Sequence, residues 1–162
     1  MGTLDTQVIT TDQQFMAHAL EQASLASREE EVPVGAVVVY RGQVIGTGRN
    51  AKERYRDPTA HAEMIALREA AHNLNRWRLE NCTVYVTLEP CPMCIGAMVS
   101  ARVERLVFGC ADPKSGAAVS LYRLADDPRL NHRLLVEGGV LGDEAAALLQ
   151  SFFKERRENC KT

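Results

Sequence analysis

Two short segments constrain this chain more than any other feature: His61-Ala62-Glu63 and Pro90-Cys91-Pro92-Met93-Cys94. Each stands where the surrounding pattern starts a helix. The polar stretch 49–59 ends in Thr59, a residue able to cap a helix over 60–73 whose first turn would contain His61. Between the segments, residues 82–88 alternate Val84, Val86 and Leu88 against Thr83, Tyr85 and Thr87, the period of a strand. Glu89-Pro90 ends that strand, Cys91 takes the cap of the next helix, and Pro92 takes its favoured first position. The i, i+3 spacing of Cys91 and Cys94 then puts both thiols on one side of a first turn. Two such helices leaving one sheet edge bring His61, Cys91 and Cys94 to a single ion. One imidazole and two thiolates leave a fourth position for water, which is the ligand count of a catalytic zinc site and not of a closed structural one.

The remaining pattern supplies a sheet to carry those helices. Thr11 followed by Gln14 has the form of a capping box, and Phe15, Ala19, Leu20, Ala23 and Ala26 recur at helical spacing, ending near Glu29-Glu30-Glu31. Past Pro33, the run Val34, Ala36, Val37, Val38 and Val39 reads as a strand buried on both faces, and Arg41-Gly42 turns it into a second strand over 43–48. Residues 49–59 read as a surface loop. Residues 105–110 form another short strand, 111–118 a loop, and 134–138 a last strand; Asp143 caps a final helix carrying Leu148, Leu149, Phe152 and Phe153. Strands alternating with helices run parallel, while the opening hairpin is antiparallel. The expected fold is α/β, a three-layer α/β/α sandwich with a mixed sheet of about five strands. A polar arm over 1–12, expected to be flexible, precedes one domain over 13–158 and a tail over 159–162.

Composition excludes several classes. A chain of 162 residues can bury a full core without disulfide staples, and no apolar run approaches the ~20 residues of a membrane-spanning helix, so no membrane partner is expected. The polar start, with Asp5 and Asp12, shows no export signal, and five cysteines form no disulfide framework; both favour the cytoplasm. Cys82 and Cys110 read as small buried hydrophobes and Cys160 as part of the tail. The net charge of −2 lacks the basic excess of a nucleic-acid binder, so any RNA contact must be local. Arg54, Arg56, Lys114, Arg133, Lys154, Arg156 and Arg157 could make such a surface.

Helix N-termini favour thiolate, and zinc bound there lowers the pKa of a water towards ~7. Glu63 is the candidate acid and base. Residues two apart on a regular helix point roughly 200° apart, so His61 and Glu63 share a target only if the metal sits off the end of the helix. Each of these residues alone would read as structural; their conjunction carries the hydrolytic reading. A redox role for Cys91 and Cys94 would leave His61 and Glu63 idle. The pattern H-x-E…P-C-x-x-C matches the signature of zinc deaminases that act on cytosine or adenine, so the reaction class rests on that match and not on spacing alone.

From about Phe15 to Arg157 the chain resembles the bacterial tRNA-specific adenosine deaminases of the cytidine-deaminase-like superfamily. The resemblance is carried by residues 31–37 (EVPVGAV), 57–63 (DPTAHAE), 107–109 (VFG), 112–118 (DPKSGAA) and Asn131-His132-Arg133. It implies a homodimer with one zinc per subunit that converts adenosine to inosine at the wobble position of the tRNA anticodon. By matching positions, it implies that His61, Cys91 and Cys94 bind zinc and that Glu63 shuttles protons. It further implies that Asn50 and the backbone at Ala62 hold the flipped base, that Pro33, Val34 and Leu88 line the pocket, and that Asp112, Lys114, Asn131 and Phe153 contact neighbouring nucleotides of the anticodon stem-loop. Read without the resemblance, Asn50 is a turn residue, Pro33 and Val34 begin a strand, and Phe153 is a core residue. Two departures stand out: Val119 where glycine is more usual, and the unmatched N-terminal arm. The alternatives are a free-base or nucleoside deaminase, acting on guanine or cytosine for example, and a non-catalytic zinc-stabilised RNA-binding subunit.

Overall fold

The computed structural model describes residues 10–161, in the order α1 (Thr11–Arg28), β1 (Gly35–Tyr40), β2 (Gln43–Arg49), α2 (Lys52–Tyr55), α3 (Ala62–Leu74), β3 (Cys82–Leu88), α4 (Pro92–Ala101), β4 (Arg105–Cys110), β5 (Leu135–Glu137) and α5 (Gly142–Asn159). The strands lie in the order β2-β1-β3-β4-β5. β1 is antiparallel to both β2 and β3, whereas β3, β4 and β5 are mutually parallel. This is the mixed five-stranded sheet expected from the alternation of strands and helices.

Side-chain alternation divides the core between two faces. Ala36, Val38, Val84, Val86, Leu106 and Phe108 pack with Ala62, Ala66 and Ala70 of α3 and with Cys94, Ile95 and Met98 of α4. Val37, Val39, Tyr85 and Val107 point the other way, onto Met16 and Ala19 of α1. α5 packs on α1, β3 and β4. The helices therefore form the two outer layers of the sandwich.

The pairing also decides which loops meet. Gly35 pairs with Arg49, Ala36 with Val86, and Leu88 with Cys110. The start of β1 and the ends of β2, β3 and β4 thus lie along one sheet edge. At that edge α3 rests directly on β2, because a Cβ at Gly48 would overlap the Ala62 carbonyl oxygen. Glycine there lets the first turn of α3 sit against the strand.

Local signals misplace several boundaries by one or two residues. The capping box belongs to Thr10 and Gln13, not Thr11 and Gln14: Thr10 Oγ1 accepts from the Gln13 N–H at 3.1 Å, and Gln13 Oε1 accepts from the Thr10 N–H at 2.9 Å. Two adjacent Thr/Gln pairs offer two registers; the observed one sends Asp12 to Arg105. Residues 11 and 12, assigned to the arm, are therefore the first turn of α1, while residues 1–9 lie outside the described ones. Asn159, assigned to the tail, ends α5. Thr59 does not cap α3, since its N–H and hydroxyl both donate to Asp57 Oδ1 at 2.8 and 2.7 Å. Nor does Asp143 cap α5; it lies in the first turn, where its charge suits the helix dipole. The loop after β2 contains α2, a single turn with no buried residue and hence no hydrophobic period to reveal it. The last strand is shorter than 134–138.

Asp12 clamps the end of the sandwich away from the shared edge. Its carboxylate accepts two bonds from Arg105, at 2.8 and 2.7 Å, and one from the Tyr85 hydroxyl at 2.7 Å. Chiefly the Arg105 hydrogen bond holds the Asp12 pKa below its ordinary value of 3.8. An acid whose pKa is lowered on folding stabilises the fold above its unfolded value, and that contribution fades as pH falls through the folded one. Asp12→Asn should therefore cost about 1–2 kcal/mol at neutral pH, with the gap to the unsubstituted protein closing below about pH 4. Urea melts at pH 7 and pH 3 check this; an equal gap at both would contradict the clamp.

Candidate active site

Both metal-binding segments place a ligand at a helix cap. His61 (φ −79°, ψ 152°) caps α3 and Cys91 (φ −74°, ψ 171°) caps α4; both are extended, and the His61 side chain makes no bond to its own helix. A cap position normally turns a Ser, Thr, Asp or Asn back onto the first amides. Here the imidazole and the thiol face each other instead. His61 Nδ1 lies 3.6 Å from Cys91 Sγ and 3.5 Å from Cys94 Sγ. Bonds of ~2.0–2.1 Å to nitrogen and ~2.3 Å to sulfur at a tetrahedral angle separate the two ligand atoms by about 3.5 Å. The three residues therefore fit one zinc ion, held through Nδ1 of the histidine.

The cap conformation also removes the angular conflict between His61 and Glu63. His61 is not inside the first turn, as the sequence suggested, but one residue before the helix. Its side chain and that of Glu63, at the second helical position, converge off the helix end. Glu63 is only 4% exposed. Burial pushes its pKa up to about 7, opposed by its own backbone N–H and by the charge of His61. Cys91 has the opposite environment: the Cys94 thiol foremost, then the His61 ring and the Cys94 amide, outweigh burial and hold it down to about 4. Cys94, which donates to Cys91 and is itself buried, is shifted up. The His61 pKa is raised, first by its contact with Cys91.

Asn50 joins this group across the edge. Its Oδ1 accepts from the Ala62 N–H at 2.9 Å, and its own N–H donates to the Val34 carbonyl at 3.2 Å. With Oδ1 engaged, the amide is oriented so that Nδ2 is the group left to donate. Pro33 and Val34 are buried beside it, and Leu88 is half-buried three residues before Cys91. Asn50, Ala62, Pro33, Val34 and Leu88 thus gather around the metal-binding triad.

The outlying residues divide. The Asp112 amide donates to Glu89 at 3.1 Å, which ties its loop to the turn before Cys91. Its carboxylate is used within the loop, accepting from the Lys114 and Ser115 N–H groups and the Ser115 hydroxyl. Phe153 is not a core residue: Phe152 takes that place, and Phe153, 43% exposed, lines a cavity of roughly 630 Å³ with Lys114, Arg156, Arg157, Cys160 and Lys161. Asn131 is not brought to the triad within one chain. Its neighbour His132 bonds the Val103 carbonyl through Nε2 at 2.6 Å, at the far end of α4, about 15 Å along the helix from Cys91. Val119 has no positive φ, so its backbone does not require the glycine more usual there.

The sequence pattern alone does not single out two buried acids as site residues. Glu31 is 3% exposed and accepts from the Arg54 N–H at 2.8 Å; Glu89 is 2% exposed and anchors the 112–120 loop. The available signal was a carboxylate inside an apolar or motif segment, Glu31 before Val32-Pro33-Val34 and Glu89 between Leu88 and Pro90.

Residues 9–110 match the family described as the cytidine and deoxycytidylate deaminase zinc-binding region. The chain belongs to this deaminase family. Within the matched region lie His61, Glu63, Cys91 and Cys94, and the metal that the triad is positioned to bind is zinc. A tRNA-specific adenosine deaminase of Bacillus subtilis is 45% identical over 153 residues, 94% of this chain and 95% of its own length. Among solved structures, one from a study of A-to-I editing by tRNA:A34 deaminases at the wobble position superposes with a TM-score of 0.81 at 42% identity, covering 84% of this chain and 99% of that one. A guanine deaminase from Nitrosomonas europaea superposes with a TM-score of 0.76 at 26% identity, over 86% of this chain and 83% of its own. The deaminase fold is thus shared across different bases, while the higher identity lies with the tRNA enzymes.

Proposed function

We propose that this chain is a zinc-dependent hydrolytic deaminase that converts adenosine to inosine at the wobble position of a tRNA anticodon. The observation that carries the reading is the 45% identity, spread over 94% of the chain, to an enzyme named for that substrate. His61 Nδ1, Cys91 Sγ and Cys94 Sγ would hold the metal. Zinc held there would supply a Lewis acid able to lower the pKa of a water towards neutrality. Glu63, buried and with its pKa raised to about 7, is placed to accept a proton from the attacking water, deliver it to the ring nitrogen beside the attacked carbon, and later protonate the departing amine. Water and adenosine are consumed; inosine and ammonia leave. Asn50 Nδ2 donates to the flipped base while Oδ1 stays on the Ala62 amide, and Pro33, Val34 and Leu88 wall the pocket. Lys114, Phe153 and the Asp112 loop would meet adjacent nucleotides, by charge and by stacking, and Asn131 RNA further from the reacting base.

We also place the enzyme in the cytoplasm as a homodimer with one zinc per subunit. No helix among the described residues is long and apolar enough to cross a membrane. All five cysteines are free thiols, which suits a reducing compartment. Val119, Leu121 and Tyr122 form an exposed apolar cluster, more than half exposed at the last two, on which a second copy could close. Sedimentation equilibrium should return twice 17.9 kDa; a monomer at micromolar concentration would contradict the dimer.

The decisive assay offers the zinc-loaded protein an anticodon stem-loop with adenosine at the wobble position beside free adenosine, guanine and cytosine, and resolves products by mass. Inosine should form in the stem-loop. Deamination of guanine without the stem-loop would overturn the assignment. Glu63→Gln should keep its zinc and lose turnover by about 10²–10⁴-fold; normal turnover would remove Glu63 from the mechanism.

A further inference from the structure

The 112–120 loop has no regular secondary structure, yet four of its amides converge on one side chain outside it. Glu89 accepts from the N–H groups of Asp112 at 3.1 Å, Ala118 at 3.2 Å, Val119 at 2.9 Å and Ser120 at 2.9 Å, and from the Ser120 hydroxyl. A carboxylate offers about four acceptor sites, so all are engaged. Glu89 therefore has nothing left with which to touch a metal or a substrate. The loop also lies flat on this carboxylate: a Cβ at Gly116 would overlap Glu89 Cδ and Oε1. The other side chain that could fasten the loop, Asp112, bonds only within it.

Glu89 itself is held rigidly. Its N–H donates to the Cys110 carbonyl at 2.9 Å, and the Pro90 carbonyl accepts from the Ala117 N–H at 2.8 Å. Two residues later comes Cys91. One four-residue turn thus carries the pocket wall Leu88, the loop anchor Glu89 and the metal ligand Cys91, so the distance between metal and loop is fixed within a single turn.

We propose that Glu89 is a positioning residue for the nucleic-acid substrate, setting the 112–120 loop relative to the metal so that its nucleotide-contacting groups are in place before RNA arrives. This rests on the RNA substrate proposed above. Five donors onto one buried carboxylate are more than closing a loop requires, and glutamine cannot replace them, because its amide nitrogen would face N–H donors in either orientation. Order already built into the loop spares the RNA the entropy of ordering it, so its loss should appear in KM.

Glu89→Gln is compared with the unsubstituted protein by hydrogen exchange at residues 112–120, zinc content, and kcat and KM on the anticodon stem-loop. Expected are at least about 10-fold faster exchange at the Asp112 and Ala118–Ser120 amides, a KM about 10-fold higher, kcat within about threefold, and one zinc per chain retained. Unchanged exchange would overturn the proposal, and so would a loss confined to kcat or accompanied by loss of zinc, which would make Glu89 a support for the metal ligand. If the Gln variant fails to fold, Ser120→Ala removes a single donor from an exposed side chain and should raise KM by about two- to fivefold with the same pattern; an unchanged KM would count against the proposal. Should the unsubstituted protein prove inactive on RNA, the RNA reading fails, and the exchange measurement still decides whether Glu89 sets the loop.

Discussion

One imidazole nitrogen has to lie about 3.5 Å from each of two thiol sulfurs brought by a second helix, and much of the sheet edge follows from that requirement. Helix caps are suitable places for them. A cap residue is extended, so its side chain leaves the helix axis freely, and the uncapped amides behind it favour thiolate. Bringing the two caps together needs α3 pressed onto β2, which Gly48 permits, and α4 started abruptly after β3, which Pro92 favours. Antiparallel β1 starts at this edge, directly after Pro33 and Val34, and β2 ends there, directly before Asn50.

Three carboxylates are buried along this edge, and their surroundings give them different work. Glu89 receives four amides and a hydroxyl; that set of donors, the Ser120 hydroxyl first among them, outweighs burial and holds its pKa below the ordinary value. Glu31 takes the Arg54 amide and so fixes the loop that follows Asn50. Glu63 has few donors, and burial raises its pKa to about 7. A buried acid left short of donors can hold a proton near neutrality and give it up again, which is what a shuttle requires. Identical side chains therefore become an anchor, a brace and a proton carrier according to how many donors surround each one.

Much of this was legible in the sequence. Strand period, the hairpin turn and the Pro-Cys-Pro start gave β1 to β4 and α4 nearly to the residue, because each depends on contacts within a few positions. The metal ligands were legible because their residue types and spacing have few other uses. Less legible was whatever depended on a choice between competing partners or on partners far along the chain. Thr59 looked like a cap until Asp57 claimed both its donors. Phe152 and Phe153 are neighbours of equal hydrophobicity, and only the packing of α5 decides which one is buried. The partners of Glu89 lie 23 to 31 residues away, across a loop with no hydrophobic period to reveal the contact.

The chemistry rests on a zinc ion held by one imidazole and two thiolates off the ends of two helices, with a position for water. X-ray absorption at the zinc edge of the purified protein tests it most directly. The expected shell is two sulfurs at ~2.3 Å and two nitrogen or oxygen ligands at ~2.0–2.1 Å, one of them exchangeable with solvent. A third or fourth sulfur, or a shell filled entirely by protein ligands, would contradict it.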